Sequence, residues 1–161
     1  MILIIGALLL PCRPAQDGGR VIYEGAFHLG NDPCPEWPEA SVDPDHAQEF
    51  TFDFNSSTRG EATLAFTQRH VNNQWVLSVN GNRIADLEKG DARKAVHYVI
   101  PSGVLRKGKN TLMVRAPSVG DDITVGPVTL WEAPFREVMR LGAMSVRVTD
   151  KDTGKGLPAR I

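Results

Sequence analysis

The chain has 161 residues, of which 42% are hydrophobic and 23% charged, with a formal net charge of −1. That length predicts a single compact domain with a real core. The charge balance excludes a collagen-like repeat, a disordered acidic tail and a strongly basic nucleic-acid binder. Lys and Arg between 83 and 115 are matched by nearby acids and form no aromatic-interleaved stripe, so no nucleic-acid partner is expected.

Met1 to Leu10 is entirely apolar and stops at Pro11. Ten residues make about 15 Å of helix, half of what a bilayer core needs, so no membrane span is expected. The stretch reads instead as the apolar centre of a secretory signal peptide over residues 1–15, without the usual positive charge at its start. A secreted or periplasmic protein is the expectation. Leu9-Leu10-Pro11-Cys12 has the outline of a lipoprotein cleavage site, except that Pro11 stands where a small residue belongs. Export permits disulfides, but Cys12 and Cys34 are the only candidates and their spacing argues for no bridge.

Val21 to Phe27 is rich in β-formers and predicts the first strand. Phe50, Phe52 and Phe54 alternate with Thr51, Asp53 and Asn55, which puts the three rings on one face of a half-buried strand. The same period returns in Ala62, Leu64 and Phe66, and again in Trp75, Leu77 and Val79. Val96, Tyr98 and Ile100 form a further face, and Leu112, Val114 and Ala116 another. Asn80-Gly81 lies between two apolar runs and predicts a tight hairpin, because both residues tolerate φ > 0. From Ile123 to Leu130 the apolar parity slips across Gly126-Pro127, which predicts a bulge or a sheet edge. Only Phe135 to Leu141 reads as helical.

About eight strands, turn signals roughly every 8–12 residues and almost no helix predict an all-β sandwich. It spans residues 16–134. The boundary near Pro134 follows the charge: residues 16–60 carry nine acids and two bases, whereas 135–161 carry three acids and six bases.

Catalytic signatures are missing. The histidines are His28, His46, His70 and His97, with no H-x-H or H-E-x-x-H among them. No G-x-S-x-G, C-x-x-C or Walker-type glycine loop occurs. His28, Asp32 and Cys34 are close in sequence, but tetrahedral zinc needs a fourth ligand that is not evident nearby. The expectation is that this chain is not an enzyme and that any catalytic domain lies downstream of it.

Two turns together carry a resemblance. Trp75-Val76-Leu77-Ser78-Val79-Asn80-Gly81 is followed by Leu105-Arg106-Lys107-Gly108-Lys109-Asn110-Thr111-Leu112. A strand ending in Asn-Gly and then L-x-x-G-x-N leading into the next strand resembles galactose-binding-like jelly-roll domains, over about residues 20–132. Asp121-Asp122 before the strand to Leu130 looks like the closing strand of that fold. In the tail, Val146-Arg147-Val148-Thr149-Asp150, Asp152-Thr153-Gly154 and Leu157 to Ile161 resemble the opening hairpin of a carboxypeptidase-regulatory-like domain. The resemblance stops as the second strand begins, so residues 135–161 read as a linker plus the truncated start of that domain. This order of modules is similar to the front of secreted bacterial metallohydrolases of the polymerase-and-histidinol-phosphatase type.

The jelly-roll resemblance implies a structural calcium at one end of the sandwich. Asp121 and Asp122, with Asn31 and Asp32, are the oxygen donors placed to hold it if the first and last strands lie side by side. The competing reading is a turn capped by solvated charge. Sugar binding needs an exposed ring and polar groups to fix hydroxyls. Trp37, in the Pro-rich loop from Pro33 to Pro38, is the candidate ring, whereas Trp75 alternates with Leu77 and Val79 and reads as core. Arg69, His70, Asn72 and Asn73 form the candidate polar loop. The expected role is a non-catalytic module that binds a glycan or cell-surface polysaccharide for a secreted bacterial hydrolase. The alternative is a spacer that binds nothing and packs on a downstream metallohydrolase domain. A ligand module should present a polar or aromatic concavity at one end, and a spacer an apolar patch around Trp131 and Phe135.

Overall fold

Alternation decides which way each strand faces, and the computed structural model, which describes residues 18–30, 48–116, 121–142 and 148–156, follows it closely. Among the described residues nine strands form: β1 (Arg20–Tyr23), β2 (Phe27–Leu29), β3 (Glu49–Ser56), β4 (Ala62–Arg69), β5 (Val76–Val79), β6 (Asn82–Asp86), β7 (Lys94–Ile100), β8 (Gly108–Arg115) and β9 (Ile123–Trp131). A short helix, α1 (Phe135–Val138), follows. One sheet has the order β1-β9-β4-β7, with β2 also paired to β9; the other has the order β3-β8-β5-β6. Every pairing is antiparallel. From β3 onward the chain crosses between the sheets at each connection except the β5–β6 hairpin. The result is an all-β sandwich.

The core lies between the two inner faces. Leu64 and Phe66 from β4 and Tyr98 and Ile100 from β7 meet Leu77 and Val79 from β5 and Leu112 and Val114 from β8, all of them buried. Tyr23, Phe27, Phe50 and Phe52 form an aromatic cluster with centroid separations of 4.8–5.3 Å, in edge, tilted and stacked arrangements. Trp75 is core, as its alternation predicts. Among the inner polar groups, Tyr98 donates its hydroxyl to Gln68 Oε1 at 2.7 Å and accepts from the Glu88 N–H at 3.0 Å. Burial pushes this phenol up to about 12, so it stays neutral and able to donate.

The sequence predicts one strand from Val21 to Phe27, but the structure breaks it into β1 and β2. The cause lies on the partner strand. Gly126 has φ +94°, and a Cβ there would sit 2.3 Å from Gly25 O and 3.0 Å from the Tyr23 ring. The register of β9 against β4 shifts at this point, between Phe66 and Gln68, and its register against β1 shifts close by, between Val21 and Tyr23 opposite Thr129 and Val128. Of the two outcomes expected at Gly126-Pro127, the bulge is the one found. β9 is not an edge, since it is paired on both sides.

Asn80 and Gly81 make the predicted turn, with φ of 51° and 78°. The second turn sequence belongs with the first for a physical reason. Asn80 Nδ2 donates to Asn110 Oδ1 at 2.7 Å and to Val104 O at 2.9 Å, while Asn80 Oδ1 accepts from the Thr111 N–H at 3.0 Å. Asn110 Nδ2 donates to Arg106 O and Gly108 O, both at 2.8 Å, and its Oδ1 also accepts from the Arg106 N–H. Two carboxamides thus hold a hairpin and a crossover loop against each other. Asn110 is 1% exposed, so water cannot replace a lost partner. Asn110→Ala is expected to cost about 3 kcal/mol, read as a lowered urea midpoint at unchanged slope.

Helix α1 lies over the outer face of the five-stranded sheet. The Phe135 N–H donates to Glu61 Oε1 at 3.1 Å, Val138 is fully buried, and the His97 ring lies 5.9 Å from Trp131 and 6.5 Å from Phe135. His97 faces away from Val96 and Tyr98, as alternation requires, but these two rings cover it. Thr149 bridges Gly156 in a small separate hairpin. Asp150 Oδ1 closes its turn by accepting from the Thr153 N–H and hydroxyl, both at 2.7 Å.

Candidate functional site

The two ends of the sandwich differ in chemistry. At the end where β9 begins, β2 pairs beside it, with Leu29 opposite Ile123, so the first and last strands do lie side by side. Gly30 follows directly, and a Cβ on it would come within 2.0 Å of Asp122 Oδ1. Asn31 and Asp32, the other two predicted calcium donors, lie outside the described residues, as does Trp37.

The carboxylates at this end make internal bonds. Asp121 Oδ2 accepts from the backbone N–H groups of Asn72 and Asn73 at 3.1 and 2.8 Å and from Trp75 Nε1 at 2.9 Å. The predicted polar loop is therefore brought onto the predicted metal carboxylate, but through its main chain. Asn72 Nδ2 donates to His70 O at 3.3 Å, and Val71 bridges Gly90, which fixes the loop from its other side. His70 takes φ 59° there, and Arg69 pairs with Thr124 at the end of β4. Asp122 Oδ1 contacts His28 Nε2 at 3.1 Å. Among the described residues no group of three His, Cys, Asp or Glu is arranged to hold a metal ion.

At the opposite end, antiparallel pairing sets the start of β1 beside the end of β9, with Arg20 opposite Leu130. An open cleft of about 530 Å³ lies there, lined by Gly18, Arg20, Asn55, Ser56, Ser57, Leu130 and Glu132. That volume falls within the range of about 300–1,000 Å³ typical of small-molecule sites. Glu132 accepts from the Ser57 N–H at 2.8 Å and from the Ser57 hydroxyl. Arg20 Nη2 donates to Asn55 O. Among the described residues the lining holds one arginine, one glutamate, an asparagine and two serines, and no aromatic residue.

Burial raises the Glu132 carboxyl, but the Ser57 and Ser56 bonds and the Arg20 charge outweigh it and hold the group below the ordinary value of 4.5. A depressed carboxylate stabilises the fold above its unfolded value, and that contribution is lost as pH falls through the folded one. The stability difference between the wild type and Glu132→Gln is therefore expected to shrink below pH 4.5. Paired urea titrations at neutral and acid pH measure it, and a gap that is constant with pH would contradict this assignment.

The cleft residues escape sequence reading. Asn55-Ser56-Ser57 is legible only as a glycosylation sequon, and nothing local connects it to Glu132, 75 positions away from Ser57. The sequence matches no protein-family model, and no curated protein matches it.

Proposed function

We propose that this domain is a non-catalytic carbohydrate-binding module that serves as an accessory to a hydrolase. The observation that carries the reading is the Arg20–Glu132 cleft. Arg20, Glu132 and Asn55 line a volume suited to one or two sugar rings, and guanidinium, carboxylate and carboxamide groups can fix hydroxyls in defined directions. The likeness of the Asn80-Gly81 and Leu105–Asn110 turns to galactose-binding-like domains supports it. The secreted or periplasmic location suggested by residues 1–10 suits an extracellular polysaccharide as target.

The test is a glycan array probed with the full chain, with and without calcium. Retention of defined glycans, lost in Glu132→Gln, is expected. Trp37→Ala lowers retention without lowering the melting temperature if that ring joins the site. A folded protein that retains no glycan would favour the spacer reading. One feature speaks for that second reading: Val99, Met139 and Leu141 are 38%, 37% and 53% exposed on the side of the sandwich that carries Trp131 and Phe135. Those side chains suit contact with a following domain.

A further inference from the structure

We infer that the cleft selects uncharged glycans, with Arg20 and Glu132 as the residues that set this specificity, an inference that rests on the carbohydrate-binding reading above. Arg20 and Glu132 line the same cleft and carry opposite charges, so the charges of its described lining residues balance. A uronate or a phosphorylated sugar would gain attraction from Arg20 but would be brought against Glu132, and an amino sugar would meet the reverse. The repulsion from the like charge offsets the attraction to the opposite one, so a charged ligand gains no net advantage in this cleft. A neutral ligand incurs neither cost.

Capacity points to adjacent hydroxyls. A carboxylate has about four acceptor positions; at Glu132, Ser57 fills one on each oxygen and the Ser56 hydroxyl also bonds the group, which leaves room for a ligand hydroxyl. A guanidinium has five N–H donors, of which Arg20 commits one to Asn55 O. One hydroxyl of a diol can donate to Glu132 while its neighbour accepts from Arg20. The pairing is held by both groups at once and not by either charge alone. The Ser56 hydroxyl is engaged with Thr58, accepting from its N–H at 3.2 Å, so it helps to shape the wall. Leu130, 1% exposed, backs the cleft from the core. Among the described lining residues there is no aromatic platform, so hydrogen bonds carry the selectivity there and losing one should be felt strongly.

The experiment titrates the full chain with neutral tetrasaccharides of gluco, manno and galacto configuration and with tetragalacturonate, following chemical shifts. The wild type is expected to bind at least one neutral tetrasaccharide about tenfold more tightly than tetragalacturonate. Glu132→Gln makes the cleft cationic, so neutral binding should fall about tenfold while tetragalacturonate binding rises. Arg20→Gln should weaken neutral binding without admitting the uronate. Melting curves of both variants separate a lost contact from a lost fold, and either folded variant alone is sufficient. Equal or tighter binding of tetragalacturonate by the wild type overturns the inference, as does neutral binding that survives both substitutions. These results leave the carbohydrate-binding reading standing. Binding of none of the four sugars by the folded wild type overturns that reading and this inference with it.

Discussion

Asp121→Ala is expected to lower the unfolding free energy by about 3–4 kcal/mol, because it leaves three N–H donors without their acceptor. Trp75 is 1% exposed, so its indole N–H has no route to water and bears the full cost of an unpaired buried donor. The Asn72 and Asn73 amides would be released together, and with them the loop that Val71 and Gly90 also anchor. Charge-assisted bonds of this kind are about twice as strong as neutral ones. Asp121→Asn keeps an oxygen in place and should lose about half as much. Urea denaturation with and without a calcium chelator gives the measurement. The loss is expected to be the same in both conditions. If the chelator alone destabilises the wild type as much as the substitution does, the carboxylate serves an ion and the three N–H groups are secondary.

The second large effect is expected at Gly126. An alanine there must adopt φ +94° and place its Cβ 2.3 Å from Gly25 O, well inside contact distance. The left-handed backbone costs about 1–3 kcal/mol by itself, and the overlap adds to it because Gly25 is held between two strands that both pair with β9. A total of about 4 kcal/mol is expected for Gly126→Ala. Two other glycines divide that figure. Gly81 has φ +78° with nothing within 4 Å of an added Cβ, so Gly81→Ala isolates the backbone cost. Gly142 has neither constraint, and its replacement should change stability by less than about 0.5 kcal/mol. Thermal unfolding of the three variants checks the order. Equal losses at Gly81 and Gly126 would show that the Gly25 carbonyl moves aside without cost.

The sandwich was legible because its evidence is local. Phe50, Phe52 and Phe54 could share a face only in an extended chain, and Asn80-Gly81 could reverse it only with both φ angles positive. The same locality explains the error at residues 21–27. β-propensity continued through Gly25, while the interruption came from Gly126 on another strand. Asp121, Asn72 and Asn73 were visible as polar groups but not as partners. The bonds that join them depend on how the β4–β5 connection meets the start of β9.

From sequence by itself, this protein's class and strand faces followed, because a period of two residues sorts side chains into inside and outside before any strand finds its partner. Only the tertiary structure decided what its polar groups do. Ser57 and Glu132 are 75 residues apart, and Trp75 and Asp121 are 46. Their meeting depends on antiparallel register accumulated over whole strands, and no short-range pattern in the chain encodes that register.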